Sequence, residues 1–263
     1  MSRKHLLVLL AAVFASAPAA VAQDFEGVVK LRTITVEREA LSSRGFDDSQ
    51  AILDLPMERI LALRAELEPG GEMMYSEMET TFKGNLIRSD ARGEDMVTWV
   101  VMNVESGTIQ VVQPAEQMIM EMTSADMERM AAMGGGMPDQ AGEMDITETG
   151  LSREINGFSC VAYDVSDGEE TTRVWVSNDD PRLTETFRRF GEANAKMSMG
   201  EEVSAESLVA KFGFPVLTQR LTYDMYDVNE VVSFERGAVS SDVFELPAGY
   251  RKINMAQMMG IGR

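Results

Sequence analysis

Between residues 73 and 122, apolar and polar residues alternate in short segments that are separated by short turns. Alternation with a period of two is typical of β-strands that bury one side. Turns of this length join antiparallel neighbours, since a parallel connection needs about a dozen residues or more. The pattern therefore predicts an antiparallel meander whose five strands are Met73–Phe82, Asn85–Asp90, Met96–Val104, Thr108–Gln113 and Gln117–Met122.

Similar segments lie on both sides of this meander. Residues Phe25–Arg38 alternate before it, with Val29 and Leu31 on one side of the predicted strand. Asn156-Gly157 is a strong hairpin signal after it. The strands predicted in the second half are Arg153–Ile155, Phe158–Asp164, Glu170–Ser177, Leu217–Val228 and Val231–Arg236.

Four segments have helical spacing instead. Apolar residues recur at intervals of three and four between Leu53 and Leu61, which predicts a helix over about Asp54–Glu68 with Pro56 in its first turn. Further helices are expected to start at Ser124 and to cover 181–197 and 204–212. These helices interrupt the strands at three places.

The expected fold class is α+β. A sheet of about ten antiparallel strands cannot stay flat and open, because strand twist makes it curl. We expect a strongly curved half-barrel with the helices packed on its concave side. Residues 23–252 are expected to form this single domain, followed by a flexible tail over 253–263. The interior is either a filled core or a cavity.

The N-terminal residues 1–22 read as an export signal. Arg3 and Lys4 supply its positive start, Leu6–Ala17 its apolar run, and cleavage is expected after Ala22. The apolar run is shorter than the roughly 20 residues that a helix needs to span a bilayer. We therefore expect a soluble periplasmic or secreted protein without a transmembrane segment in its mature chain.

Charge and composition exclude several classes of function. The chain has 24 Lys and Arg against 43 Asp and Glu, a net charge of −19, which argues against binding nucleic acid through its phosphates. Its one histidine, His5, lies in the export signal. Its one cysteine, Cys160, lies in a strand pattern and cannot form an internal disulfide. No catalytic or nucleotide-binding motif is present, so we expect neither an enzyme nor a cofactor.

Methionine is in excess, with 21 residues. Met118 and Met120 alternate on one strand, while Met127 and Met130 lie three residues apart on a predicted helix. Thioether side chains fill irregular cores and also line promiscuous binding surfaces. They bind Cu(I) as well, although a tight copper site normally includes histidine or cysteine. Core filling, cavity lining and copper binding all remain open.

Aromatic residues are the other candidates for lining a cavity. Trp99 and Trp175 lie in predicted strands, where large rings more often form the wall of a core than a ligand platform. If the sheet curls around a cavity, these rings would be among its largest lining surfaces. The residues predicted to line such a cavity are Trp99, Met118, Met120, Met127, Met130, Trp175, Phe212, Phe214 and Tyr223.

Four stretches resemble an uncharacterised family of exported bacterial proteins, known as a domain of unknown function and distantly similar to the lipoprotein carriers LolA and LolB. They are residues 82–88 (FKGNLIR), 154–163 (EINGFSCVAY), 174–176 (VWV) and 244–250 (FELPAGY). The resemblance covers Phe25 to about Lys252. It implies a half-barrel with an apolar cavity, a role in carrying or sensing an apolar molecule, and no catalytic residues. The segment Glu39–Gly71 and the Met-rich segment Ser124–Met144 depart from the carriers.

Together these features favour a periplasmic binding or carrier protein with an apolar cavity for a lipid-like or acylated ligand. Two alternatives stay open. One is a structural or interaction module of the cell envelope that holds no ligand and meets an envelope protein through its acidic surface. The other is a copper-binding protein that uses the Met-rich segments.

Overall fold

A computed structural model describes residues 26–93, 96–123, 125–126, 144–166, 168, 170–181, 183–185, 209 and 211–254. Within these residues, 12 strands form one sheet. The first six are β1 (Glu26–Glu37), β2 (Met73–Lys83), β3 (Leu86–Gly93), β4 (Met96–Asn103), β5 (Thr108–Gln113) and β6 (Met118–Met122). The others are β7 (Asp145–Ile155), β8 (Phe158–Ser166), β9 (Thr171–Ser177), β10 (Phe214–Leu221), β11 (Met225–Arg236) and β12 (Arg251–Asn254).

The sheet is curved and unclosed, with the strand order β12-β6-β5-β4-β3-β2-β1-β11-β10-β9-β8-β7. Two antiparallel meanders, β1 to β6 and β7 to β11, are joined where β1 pairs with β11 along most of their lengths. A register shift after Lys30 interrupts that pairing once. Strand β12 runs parallel to β6 at one edge. The prediction of a curved antiparallel sheet is confirmed.

Two strand predictions need correction. The segment Leu217–Val228 is not one strand, because the chain turns at Thr222–Asp224 between β10 and β11. The Thr222 backbone N–H donates to the Met225 carbonyl at 2.9 Å, and this bond closes the turn. Residues Arg251–Asn254 form a strand across the start of the predicted tail. The sheet that the described residues form accordingly has 12 strands rather than about ten.

Short helices connect β1 to β2: α1 (Arg38–Ser42), α2 (Ser49–Leu53) and α3 (Met57–Leu67). The Asp48 side chain caps α2 by accepting from the Ala51 backbone N–H at 2.8 Å. Pro56 precedes α3 as its N-cap residue instead of lying in its first turn. The helices predicted after Ser124, over 181–197 and over 204–212 lie largely outside the described residues, of which 125–126, 181, 183–185 and 209 are helical.

The main hydrophobic core includes residues from both sides of the sheet. In β1, Val29 and Leu31 are buried on one side, whereas Ile34 and Val36 are buried on the other, because side chains alternate along a strand. The second side carries Trp175 and Gln219 and lies against the helices. We call it the helix-covered side. The helices and the link between α2 and α3 bury apolar residues in the same core, namely Ala40, Leu41, Ile52, Leu53, Leu55, Met57, Ile60 and Leu67.

Smaller contacts cover the remaining surfaces. Val165, Val174 and Val176 lie opposite the helix-covered side and form a second cluster with Val209. At the other end of the sheet, the turn Ser241–Phe244 packs on β3, where Arg88 donates to the Val243 carbonyl at 2.7 Å. No helix within the described residues has the length and hydropathy to cross a bilayer.

Candidate functional site

Polar side chains gather on the helix-covered side of β7 to β11. Register places Trp175 of β9 beside Ala162 of β8 and Leu217 of β10. It also places Arg153 of β7 opposite Cys160 of β8. Paired residues share one side of a sheet, so these strands bring together a group that we call the Trp175 cluster: Arg153, Cys160, Arg173, Trp175, Gln219 and Tyr226.

Arg173 links the sheet to the helices. Its side chain is only 2% exposed, and Nε and Nη2 donate to the two carboxylate oxygens of Asp164 at 2.7 and 2.8 Å. Nη1 donates to Asp54, which follows α2. The hydrogen bonds that Arg173 donates to Asp164, together with the charges of both carboxylates, raise the pKa of Arg173. Because two carboxylates face it, this buried cation is paired and its desolvation is offset.

Gln219 connects three elements through one buried amide. Its Oε1 accepts from Trp175 Nε1 at 3.0 Å, and its Nε2 donates to the Tyr226 hydroxyl at 2.8 Å. A longer contact of 3.5 Å joins Nε2 to the Leu55 carbonyl between α2 and α3. Tyr226 is fully buried, and burial raises its pKa. These bonds fix the plane of the Trp175 ring.

Arg153 lies over that ring. The centre of its guanidinium is 4.0 Å from the Trp175 ring centroid, a cation–π contact. Its Nε is buried, and among the described residues no acceptor receives a hydrogen bond from it. Burial is the main cause that lowers the pKa of Arg153. The charge of Glu58 on α3 acts in the opposite direction and raises it. The side chain is half-buried, so the site holds a stacked, partly desolvated cation that donates no hydrogen bond to a carboxylate in the described part of the chain.

Cys160 is the thiol of the cluster. It is 1% exposed, and its Sγ donates to the Phe158 carbonyl at 3.4 Å. Burial, reinforced by the charge of Asp179, raises the pKa of this thiol to about 12. The thiolate is the nucleophilic form of cysteine, and it is scarcely populated at neutral pH here.

The β7–β8 turn shows how tightly this part of the sheet curls. Asn156 lies in the turn with a φ of 49°, and its Nδ2 donates to Glu230 Oε1 at 3.0 Å and to the Val231 carbonyl at 2.8 Å. Both acceptors are on β11, which is separated from β8 by two strands in the sheet order. Glu230 also pairs with Arg32 at 3.0 Å. The turn therefore reaches across the helix-covered side.

The structure brings only some predicted lining residues together. Trp175 belongs to the Trp175 cluster and is buried in the main core. Phe214 is buried in the same core, and its ring centroid is 6.1 Å from that of the half-buried Phe158. Met120 is buried in the same core but on β6, in the other meander. Met118 is half-buried beside it, and its sulfur accepts from Arg251 at 3.8 Å.

The other predicted residues lie apart from this group. Trp99 lies on the side of β4 that faces Arg88, whose guanidinium is 4.8 Å from its ring centroid. Phe212 stacks on Tyr163 at 4.6 Å in the second cluster, and Tyr223 is 92% exposed in the β10–β11 turn. Met127 and Met130 lie outside the described residues. The described residues of the predicted set therefore lie on both sides of the sheet and in one exposed turn, and their role in lining a cavity stays a prediction.

Sequence reasoning missed most of the Trp175 cluster, namely Arg153, Arg173, Gln219 and Tyr226. A weak signal was present for two of them. Arg173 and Gln219 stand inside strands that are otherwise almost wholly buried, Thr171–Ser177 and Phe214–Leu221. A polar residue within such a run has to find buried partners, but the sequence does not say which.

Metal ligands are not grouped in the described part of the chain. There, no three His, Cys, Asp or Glu side chains lie close enough together to hold a metal ion.

Several solved structures are similar to the chain at low identity. An uncharacterized conserved protein from Thermus thermophilus is 7% identical with a TM-score of 0.43, covering 96% of this chain and 99% of its own. PNGF-II is 8% identical with a TM-score of 0.40, over 89% of this chain and 32% of PNGF-II. MucB in complex with MucA(peri) is 10% identical with a TM-score of 0.39, over 97% of this chain and 63% of MucB. The chain thus spans about a third of PNGF-II and less than two thirds of MucB.

Sequence comparison gives a clearer result. No curated protein matches the chain. The sequence model of one family, described as "Domain of unknown function (DUF4412)", matches residues 65–250. That interval contains strands β2 to β11, and with them the whole Trp175 cluster. It also contains all four stretches on which the family resemblance was based. The chain therefore belongs to the DUF4412 family.

Proposed function

We propose that the protein is exported to the periplasm or secreted, and that it binds and carries an apolar, lipid-like or acylated ligand without catalysing a reaction. The observation that carries this proposal is that short helices cover an apolar side of the sheet. Strands β1 and β9 to β11 present an apolar surface there, and the short helices between residues 38 and 67 pack on it. The sequence resemblance to lipoprotein carriers favours the same function.

The attachment of the helices to the sheet is partly polar and local. Asp54 binds Arg173, and the Leu55 carbonyl contacts Gln219. Both contacts lie in the short connection between α2 and α3. If this connection lifts, buried side chains such as Trp175, Leu217 and Ile52 become accessible to an acyl chain. Each Å² of apolar surface that the ligand then removes from water contributes about 25 cal/mol, offset by ordering costs.

The chemistry of the cluster favours binding over catalysis. The Cys160 thiol has a pKa of about 12, and burial also raises the pKa of Tyr226. Arg173 is held by Asp164 and Asp54. A general acid or base works best with a pKa near the operating pH, and neither Cys160 nor Tyr226 meets that condition.

The test is direct binding of an apolar probe by the mature protein, residues 23–263. We expect an environment-sensitive dye such as N-phenyl-1-naphthylamine to bind with a saturable rise in fluorescence, and organic extracts of the purified protein to contain lipid by mass spectrometry. Absence of both would overturn the proposal.

A pair of variants tests whether the helices form the cover. Asp54→Ala removes one attachment of the helices, yet it leaves Arg173 paired with Asp164. We expect faster dye binding in this variant. Asp47→Ala, which alters an exposed carboxylate just before α2, is the control and should behave like the wild type. Equal binding rates in both variants would show that the contact made by Asp54 does not limit access.

The second candidate is an interaction module without a ligand. The hydrogen-bonded filling of the Trp175 cluster favours it, because Trp175 and Tyr226 already have buried partners. It predicts no dye binding together with co-purification of an envelope protein.

A further inference from the structure

We infer that Arg153 binds the oxyanion headgroup of the carried molecule, so that the ligand is an anionic amphiphile, with a carboxylate or phosphate group next to an acyl chain. This inference rests on the proposed function and specifies the chemical class of its ligand. It is argued from the partners, the orientation and the neighbours of Arg153.

The first argument is that Arg153 lacks a hydrogen-bond acceptor, although the charge of Glu58 acts on it. All the other buried or half-buried arginines of the described chain donate to oxygen: Arg32 to Glu230, Arg38 to Thr222 and Ser49, Arg64 to Glu68, Arg88 to Asp90, and Arg173 to Asp164 and Asp54. Arg153 donates to none in the described part of the chain, although the protein has 43 acidic residues. A half-buried cation without an acceptor is costly to desolvate, and an anionic ligand would supply the acceptor.

The second argument is orientation. The centre of the guanidinium is 4.0 Å from the Trp175 ring centroid, and Gln219 holds the Trp175 ring in turn by accepting from its Nε1. Arg153 Nε is buried without an acceptor, whereas neither Nη nitrogen is among the enclosed, unpartnered atoms. A planar fork of N–H donors matches the two oxygens of a carboxylate or phosphate. Since the fork is already held in place, little rotamer entropy is lost when an oxyanion binds.

The third argument is the apolar surroundings on the same side of the strands. Ile155 and Phe158 pair at the end of the β7–β8 hairpin, next to the Arg153 and Cys160 pair. Phe158 is half-buried and contacts the buried ring of Phe214. An acyl chain that leaves an oxyanion at Arg153 would therefore meet aromatic rings directly.

A similar pair elsewhere in the chain shows what a purely structural stacking looks like. Arg88 lies over Trp99 at 4.8 Å, but two of its nitrogens donate to Asp90 at 2.8 and 2.6 Å, and a third donates to the Val243 carbonyl. Every part of that guanidinium is used within the protein. Arg153 has the same aromatic support without the acceptors, and Arg88 is consequently its matched control.

Tryptophan fluorescence can follow binding at this site. The chain has two tryptophans, and Trp99→Phe leaves Trp175 as the reporter beneath Arg153. In this background we would titrate dodecanoate, dodecyl phosphate and dodecanol below their micelle concentrations. We expect the two anions to bind at least about tenfold more tightly than the alcohol, because charge-assisted hydrogen bonds are the stronger ones. Acetate and inorganic phosphate serve as headgroups without a chain.

Substitutions test whether Arg153 causes the preference for the anionic probes over dodecanol. Arg153→Gln should reduce the affinity for dodecanoate to that for dodecanol, whereas Arg88→Gln should keep the tenfold preference. Arg153→Lys retains the charge but not the planar fork of donors, so it should keep part of the preference for dodecanoate. It replaces Arg153→Gln in the test if the Gln variant fails to fold.

The outcomes separate the two proposals. Equal affinity for dodecanoate and dodecanol, or a preference that survives Arg153→Gln, overturns this inference and leaves the carrier function standing. Failure of all three chain-bearing probes and of the dye overturns the carrier function and this inference together. Equal binding of acetate and dodecanoate would show an oxyanion site without an acyl contact, against the inference as stated. The relative affinities of dodecanoate and dodecyl phosphate identify the preferred headgroup.

Discussion

At the scale of single residues, Gln219 shows how one amide can hold a core in place. Replacing it with Met keeps the approximate shape but leaves the Trp175 N–H without its acceptor and removes a donor from the Tyr226 hydroxyl. An unsatisfied buried polar group costs about 1–3 kcal/mol, so we expect Gln219→Met to lower the free energy of unfolding by that amount in urea denaturation. Gln110→Met, which removes a bond to the half-buried Glu121, is the control and should cost less. Equal losses would show that the buried bonds add nothing.

Cys160 supplies a prediction about pH. The pKa of its thiol is about 12 in the folded protein against an ordinary 9.0, so the folded state holds the proton more tightly than the unfolded state. This group therefore stabilises the fold fully below about pH 9, and the stabilisation is lost as the pH rises toward 12. We expect the stability of the wild type relative to Cys160→Ala to be constant from pH 6 to 8 and to decline above pH 9, measured by urea denaturation. A constant difference up to pH 11 would contradict the shift.

At the scale of elements, the β7–β8 hairpin is held to β11 by its turn. Asn156 supplies both a positive φ, which Gly also adopts easily, and two hydrogen bonds from Nδ2. We expect Asn156→Gly to keep the turn and lose only the bonds, at a cost of about 1–3 kcal/mol, while Asn156→Ala adds backbone strain. Hydrogen exchange of β7 amides should increase in both variants. Unchanged exchange in the Gly variant would mean that the turn does not depend on these bonds.

The strands were more predictable than their arrangement. Period-two alternation and short turns located β2 to β6 closely, because both signals act over a few residues. The pairing of β1 with β11 joins residues almost 200 positions apart, and no local pattern encodes such a distance. The sequence analysis did not predict the turn at Tyr223, because aromatic residues are typical of strands and this one is exposed in a turn instead. In the candidate site, Trp175 and Phe214 could be predicted as large apolar strand residues, whereas the roles of Arg153 and Gln219 depend on partners from other strands.

At the scale of the whole molecule, the β1–β11 pair decides whether the chain is one cooperative unit. Strands β2 to β6 lie on one side of this pair and β7 to β10 on the other. The main hydrophobic core contains residues of both meanders, for example Ile109 of β5 and Trp175 of β9. Because apolar residues of both meanders share one core, we expect the meanders to unfold together.

The two tryptophans report on this coupling, since Trp99 lies in β4 and Trp175 in β9. Trp99→Phe and Trp175→Phe each leave one reporter, and in each variant the fluorescence transition in urea should coincide with the far-UV circular dichroism transition, as two-state unfolding requires. A shift in stability caused by the substitution moves both signals together and does not affect this comparison. Substituting Leu31 of β1 by Ala, at the junction of the meanders, should lower the midpoint equally in both backgrounds. A lower midpoint for one reporter alone would show two independently folding units, and the helices on the helix-covered side would then cover only one of them.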